Sequence, residues 1–239
     1  MTDLPRTGPL PRVRPLARWL VRRAYDVRLH GEHHVPRRGP VILSANHIGI
    51  ADGPLLAILS PRPVYALTKH EVYDSRLRPL MRAGGQIRLD RFHPDPAAMR
   101  SSVALLDAGL VLGIFPEGRR GPGDLGRFHR GVGYLALVSG APVVPVTFLG
   151  TREPGGGASS LPPRGSRLDI VYGEAVTLAA QPWPRTREQV GEGSLLLRRH
   201  MLAALHDALT LTGRELPGPL PPGQSDDDPR TGVVERGAP

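Results

Sequence analysis

The chain has no cysteine, one lysine, one asparagine and only 5% aromatic residues in a length of 239. Without cysteine there is no disulfide, no zinc–thiolate centre and no thiol nucleophile, while the redox compartment stays open. So few aromatics are a poor basis for stacking single-stranded nucleic acid. No run of about 20 apolar residues occurs, and none is predicted to cross a membrane. The first residues carry arginines but no apolar segment followed by a cleavage site, so no secretory signal is predicted. The expected location is the cytoplasm.

What the chain does have is positive charge. Lys and Arg number 31 against 22 Asp and Glu, a net charge of +9 with a sequence pI near 11. All but Lys69 of the basic residues are arginine. With the many Ala, Gly and Pro residues, this skew reads as genomic base composition more than function. The excess still favours an anionic partner, either nucleic acid or an anionic membrane surface. Nine arginines fall within residues 1–38, against three acidic residues. The length suits one domain with a sizeable core.

The pattern divides the chain into a basic amino-terminal segment (1–35), a domain (36–212) and a Pro-, Gly- and Asp-rich tail (213–239) expected to be disordered. Within the first segment, residues 1–14 read as loose. Residues 15–29 read as a basic amphipathic helix, with Leu16, Trp19, Leu20 and Val27 at helical spacing. Such a helix fits a membrane interface, or packs Trp19 and Leu20 on the core. From residue 36 strands alternate with helices. Strands are predicted at 41–45, 64–68, 86–90, 110–115, 143–149 and 167–172. Helices are predicted at 53–59, 75–82, 96–108, 131–139 and 186–210, and residues 151–166 read as a loop. This alternation argues for a single α/β domain with a mostly parallel central sheet flanked by helices.

Two blocks close buried strands, where α/β folds keep their sites. In Asn46-His47-Ile48-Gly49-Ile50-Ala51-Asp52, Asp52 follows His47 by five positions. A turn between them would bring the carboxylate to one ring nitrogen and leave the other outward as a base. The missing nucleophile would be the substrate's own hydroxyl. The plainer alternative is an Asp that caps a helix beside an incidental His. In Phe115-Pro116-Glu117-Gly118-Arg119-Arg120, Gly118 permits close backbone approach to a ligand. The guanidinium forks of Arg119 and Arg120 suit phosphate. Arg91 leaves the strand end at 86–90 toward the same place. Lys69 and Asn46, each the sole residue of its type, also fall at strand ends.

Taken in order, these blocks resemble the 1-acylglycerol-3-phosphate acyltransferase (lysophosphatidic acid acyltransferase) superfamily of glycerolipid acyltransferases, over about Val27 to Leu178. Asn46-His47 with Asp52 matches the family's N-H-x-x-x-x-D block. Gly85–Arg91 is similar to its second block, Phe115–Gly118 with Arg120 to its third, and Val143-Val144-Pro145-Val146 to its fourth. Two residues depart from the pattern: Arg119 stands where a small hydroxyl residue is usual, and Arg88 where an apolar one is.

The resemblance implies acyl transfer from acyl-CoA or acyl-carrier protein to a lysophospholipid hydroxyl, with 1-acylglycerol-3-phosphate the family default and phosphatidic acid the product. His47 would be the base and Asp52 its orienting partner. Lys69, Arg91 and Arg120 would hold the acceptor's phosphate, and Glu117 and Gly118 would shape the pocket. No metal or cofactor is implied, only the acyl donor as co-substrate. The protein is expected to sit peripherally on the inner face of the cell membrane, against anionic lipid. Competing readings are a basic nucleic-acid-binding protein, a metal-dependent phosphoesterase and a silent lipid-binding relative. The first lacks a recognition motif, the second lacks enough His and Asp near the strand ends, and the intact His47–Asp52 pair opposes the third.

Overall fold

A computed structural model describes residues 10–76 and 78–224. Seven strands form one sheet: β1 (Asp26–His30), β2 (Val41–Ala45), β3 (Val64–Lys69), β4 (Ile87–Leu89), β5 (Val111–Ile114), β6 (Val143–Leu149) and β7 (Arg167–Tyr172). The helices are α1 (Leu10–Ala24), α2 (Asp52–Leu59), α3 (His70–Tyr73), α4 (Arg78–Ala83), α5 (Pro96–Asp107), α6 (Gly131–Ser139) and α7 (Arg187–Thr212). The strand order is β1-β7-β6-β2-β5-β3-β4. Strands β6, β2, β5, β3 and β4 run parallel to one another, and β7 turns back antiparallel to β6 with β1 parallel to it.

The central strands are apolar runs because both of their faces are covered. All residues of β2, β5 and β6 are buried. On one face α1 and α2 cover Leu43, Val144, Phe148 and Ile170, with Leu55, Leu56 and Leu59 supplied by α2. On the other, α5, α6 and α7 cover Ile42, Leu112 and Val143 through Leu105, Val132, Leu135, Leu197 and Met201. Gly133 of α6 lies against Ser194 of α7, where a Cβ would come within 2.2 Å of the Ser194 Oγ. Glycine there lets the two helices approach closely.

The amino-terminal helix exists but is displaced from the predicted 15–29. It begins at Leu10, carries Pro15 inside it and ends at Ala24. Residues 26–30 become the edge strand β1, so the sheet takes in part of the segment expected to stand apart from the domain. The helix is also turned opposite to a basic surface helix. Arg14 and Arg18 face inward and donate to the carbonyls of Ile58, Leu59 and Ser60 at the carboxyl end of α2. These orphan carbonyls are where guanidinium groups are favoured. Burial lowers the Arg14 pKa from its ordinary value, and the neighbouring Arg18 adds to this. Val13, Leu16, Trp19 and Leu20 are left on the solvent side, with Leu16 and Trp19 more than 60% exposed. Packing of Trp19 and Leu20 on the core does not occur.

Two further expectations change. The helix expected at 75–82 is found as the shorter α4, and a separate short helix, α3, precedes it at His70–Tyr73. Residues 213–224, expected to begin a disordered tail, pack on the domain. Arg214 pairs with buried Asp169 at 2.9 Å, Leu216 packs partly buried against the core, and the Gln224 side chain accepts from the Ala158 amide. Asp169 also meets His30 and Arg167. Burial opposes its charge, but these three partners outweigh burial and hold the carboxyl below its usual range. Residues 225–239 lie outside the described residues.

Candidate active site

The five parallel strands deliver their carboxyl ends to one edge. His47 follows β2, which lies between β6 and β5. Glu117 and Gly118 follow β5, Lys69 ends β3, Arg91 follows β4, and Thr151 and Arg152 follow β6.

The His47 Nδ1 lies 2.8 Å from Asp52 Oδ2. The Asp52 side chain is fully buried and the His47 side chain is 20% exposed. Asp52 opens α2 but does not cap it, because the cap position, Ala51, makes no side-chain bond. Instead Oδ2 also accepts the amides of Ile48 (2.7 Å) and Gly49 (2.8 Å), and Oδ1 accepts the Thr151 hydroxyl. Asp52 is thus not a helix cap beside an unconnected His: the segment from 47 to 52 is folded around this one carboxylate. A carboxylate on Nδ1 sets the imidazole tautomer and leaves Nε2 as acceptor. No hydrogen bond to Nε2 is formed among the described residues. The ring lies on Phe115, with centroids 4.3 Å apart and planes inclined by 30°.

Asn46 is buried and structural. Its side chain accepts from the Phe148 amide at 2.7 Å and donates to the Phe148 carbonyl at 3.2 Å, continuing the β2–β6 pairing past the strand. Phe115 and Gly118 close a tight turn, with the Gly118 amide 3.0 Å from the Phe115 carbonyl and φ of 69° at Gly118. That left-handed conformation is why glycine stands there.

Glu117 does not line an open pocket. It is 4% exposed and takes the Leu125 amide at 3.4 Å. Burial pushes its pKa up to about 8. Asp124 and Asp52 add to this, while the amides of Leu125 and His47 work against it. The buried carboxyl thus faces the backbone amides of Leu125 and His47.

The cations divide. Arg91 donates from Nη1 to the Gly118 carbonyl at 2.9 Å and reaches Glu71 at 3.4 Å, with its side chain 10% exposed. Its Nε is buried with no partner among the described residues. Partial burial works against the Glu71 charge, and its backbone bond, Arg91 and His70 together outweigh this and lower its pKa. Arg120 spends Nη1 on the Ala158 carbonyl (2.9 Å) and Ser159, holding the loop after β6. Lys69 is half-buried at the end of β3. Arg88 points away and pairs with Asp74 on the surface.

Sequence reasoning missed Thr151 and Arg152. Arg152 is 1% exposed. It donates to the carbonyls of Ile48 (2.7 Å), Gly121 (3.0 Å), Gly156 (3.0 Å) and Gly218. Burial lowers its pKa, and the charge of Asp52 opposes this. No local pattern marks a Thr-Arg pair, although its place just past the end of the strand that holds the fourth matched block was a usable signal. Among the described residues, no group of three or more His, Cys, Asp or Glu is placed to hold a metal ion.

The fold is similar to the crystal structure of the 1-acyl-sn-glycerophosphate (LPA) acyltransferase PlsC from Thermotoga maritima, with a TM-score of 0.62 at 21% identity over 86% of this chain and 80% of that one. A 1-acyl-sn-glycerol-3-phosphate acyltransferase from Bacillus subtilis is 23% identical over 196 residues, covering 81% of this chain and 89% of the relative. One from Limnanthes alba is 33% identical over 131 residues, 53% of this chain and 46% of the relative. Residues 26–149, more than half of the chain and all of the strand-end edge but Thr151 and Arg152, match the model of the Acyltransferase family, and the chain belongs to that family.

Proposed function

We propose that this acyltransferase moves a fatty acyl group from acyl-CoA or acyl-carrier protein to the free hydroxyl of 1-acylglycerol-3-phosphate, giving phosphatidic acid in phospholipid biosynthesis. The observation that carries this reading is His47, with Nδ1 on a buried carboxylate and Nε2 unbonded at the strand-end edge. Nε2 takes the acceptor's hydroxyl proton as that oxygen attacks the thioester carbonyl. The C–O bond forms, the C–S bond breaks, and the departing thiolate recovers the proton from the imidazolium. Asp52 keeps the tautomer and offsets the ring's positive charge. No acyl-enzyme is required.

The unpartnered Nε of Arg91 supports that residue as a phosphate ligand, with Lys69, at the end of the adjacent strand β3, as a second cation. Arg120 serves the phosphate less directly, since one of its nitrogens holds the loop at Ala158. Glu117 acts on the acceptor through the backbone it faces. Both acceptor and acyl chain reside in lipid, so the protein works at an anionic membrane surface, peripherally on the inner face of the cell membrane. Val13, Leu16, Trp19 and Leu20 on α1, flanked by exposed Arg12, Arg22 and Arg23, support this contact. Among the described residues no helix is long and apolar enough to cross a membrane.

The test is thiol release from palmitoyl-CoA, with and without lysophosphatidic acid, in wild type and His47→Ala. Acceptor-dependent release lost by about 100- to 10,000-fold in the variant is expected for an acid–base group. Release insensitive to His47→Ala would refute the mechanism. Release only with another lysolipid would refute the acceptor.

A further inference from the structure

His47 lies on a loop, with Asp52 where that loop enters α2, and a loop does not hold a base to a fraction of an ångström unaided. The two residues after β6 provide that support. The Thr151 hydroxyl donates to the Asp52 Oδ1, the oxygen that His47 does not use. The carboxylate is thus fixed at both oxygens and cannot rotate away from the imidazole. Arg152 then fastens the same loop from behind through the Ile48 carbonyl. Its other bonds reach Gly121, in the segment after Glu117, Gly156, in the loop after β6, and Gly218, in the carboxyl-terminal segment.

Gly49 lies so close that a Cβ there would come 2.8 Å from the Thr151 carbonyl. The catalytic loop is therefore seated on the 151–152 backbone as well as bonded to its side chains. Neither side chain is free for substrate. Thr151 is fully buried, and all three Arg152 nitrogens are occupied by carbonyls.

We propose that Thr151 and Arg152 are positioning residues for the His47–Asp52 pair, Thr151 by fixing the Asp52 carboxylate and Arg152 by holding the loop that carries both. The inference rests on the reading of His47 as the base. Outer hydrogen bonds that orient the ligands of metal centres are commonly worth about ten- to a hundredfold in activity, and the same order is expected for a carboxylate that orients a base.

The experiment uses the full-length protein with Thr151→Val, Thr151→Ser and Arg152→Lys. Valine keeps the shape of threonine, so a cooperative thermal transition is expected in that variant. Turnover in Thr151→Val falls about ten- to a hundredfold at unchanged KM for lysophosphatidic acid, and Thr151→Ser restores most of it. Arg152→Lys lowers turnover in the same way. A second readout needs no turnover: the far-downfield proton resonance of a His Nδ1–H held by a carboxylate, assigned by its loss in His47→Gln. This resonance shifts or broadens in Thr151→Val and returns in Thr151→Ser.

Wild-type turnover with an unmoved resonance in Thr151→Val would overturn the role of Thr151. So would Thr151→Ser behaving like valine. A raised KM with intact turnover in Arg152→Lys would overturn the role of Arg152. Wild type without transferase activity would defeat the proposed function, and the resonance would still decide the positioning of His47.

Discussion

Replacing Glu117 with glutamine should make the protein more resistant to rising pH. The carboxyl is raised from its ordinary 4.5 to about 8, chiefly by burial. A carboxyl raised on folding binds its proton more tightly in the native state. Its contribution is fully present below pH 4.5 and is lost as pH rises through 8. The interval from 4.5 to about 8, at about 1.4 kcal/mol per pH unit, corresponds to about 5 kcal/mol in all. Roughly half of this falls between pH 5 and pH 7. Glutamine keeps an oxygen for the amides of Leu125 and His47 but has no charge to bury. Urea unfolding of wild type and Glu117→Gln at pH 5, 6, 7 and 8 gives the difference directly. The variant should gain about 2–3 kcal/mol on wild type between pH 5 and pH 7. A difference that stays constant with pH, or runs the other way, would show that Glu117 is charged throughout and that burial does not govern it.

Other perturbations separate the remaining roles. Asp52→Asn removes the acceptor that sets the His47 tautomer, and kcat should fall by about 100- to 10,000-fold in the thiol-release assay. Arg91→Gln should raise KM for lysophosphatidic acid far more than it lowers kcat, as loss of a phosphate ligand requires. Leu16→Glu with Trp19→Glu should abolish sedimentation with anionic vesicles at high salt and leave turnover on a water-soluble acceptor unchanged. Gly123→Ala should destabilise by about 2 kcal/mol or more in urea unfolding, because φ is +75° there and a Cβ would meet Ile48 at 2.2 Å.

Strands buried on both faces were legible as apolar runs. The predicted bounds at 41–45, 143–149, 167–172 and the helix at 131–139 coincide with β2, β6, β7 and α6. Strand β1 was not legible. In Asp26–His30 only Val27 is buried, so alternation is weak, and the same residues also fit helical spacing. The pair His47–Asp52 was readable because both partners lie in one short loop. Thr151 lies 99 positions from Asp52 in the chain, and only the fold joins them. For the cations, sequence counts charges but not their commitments. Arg120 was readable as a guanidinium at a strand end, whereas the carbonyl of Ala158 that occupies it was not. The same limit hid the orientation of α1, whose arginines are drawn inward by carbonyls of a helix about 40 residues later.

Helix α2 is held at both of its ends. Asp52 binds its first turn to the catalytic loop, and Arg14 and Arg18 bind its last turn to α1. Its eight residues span about 12 Å at about 1.5 Å per residue. The helix therefore acts as a spacer of set length between α1 and the loop that carries His47. Lengthening or shortening α2 would change how far His47 stands from α1, so that separation is written into eight residues.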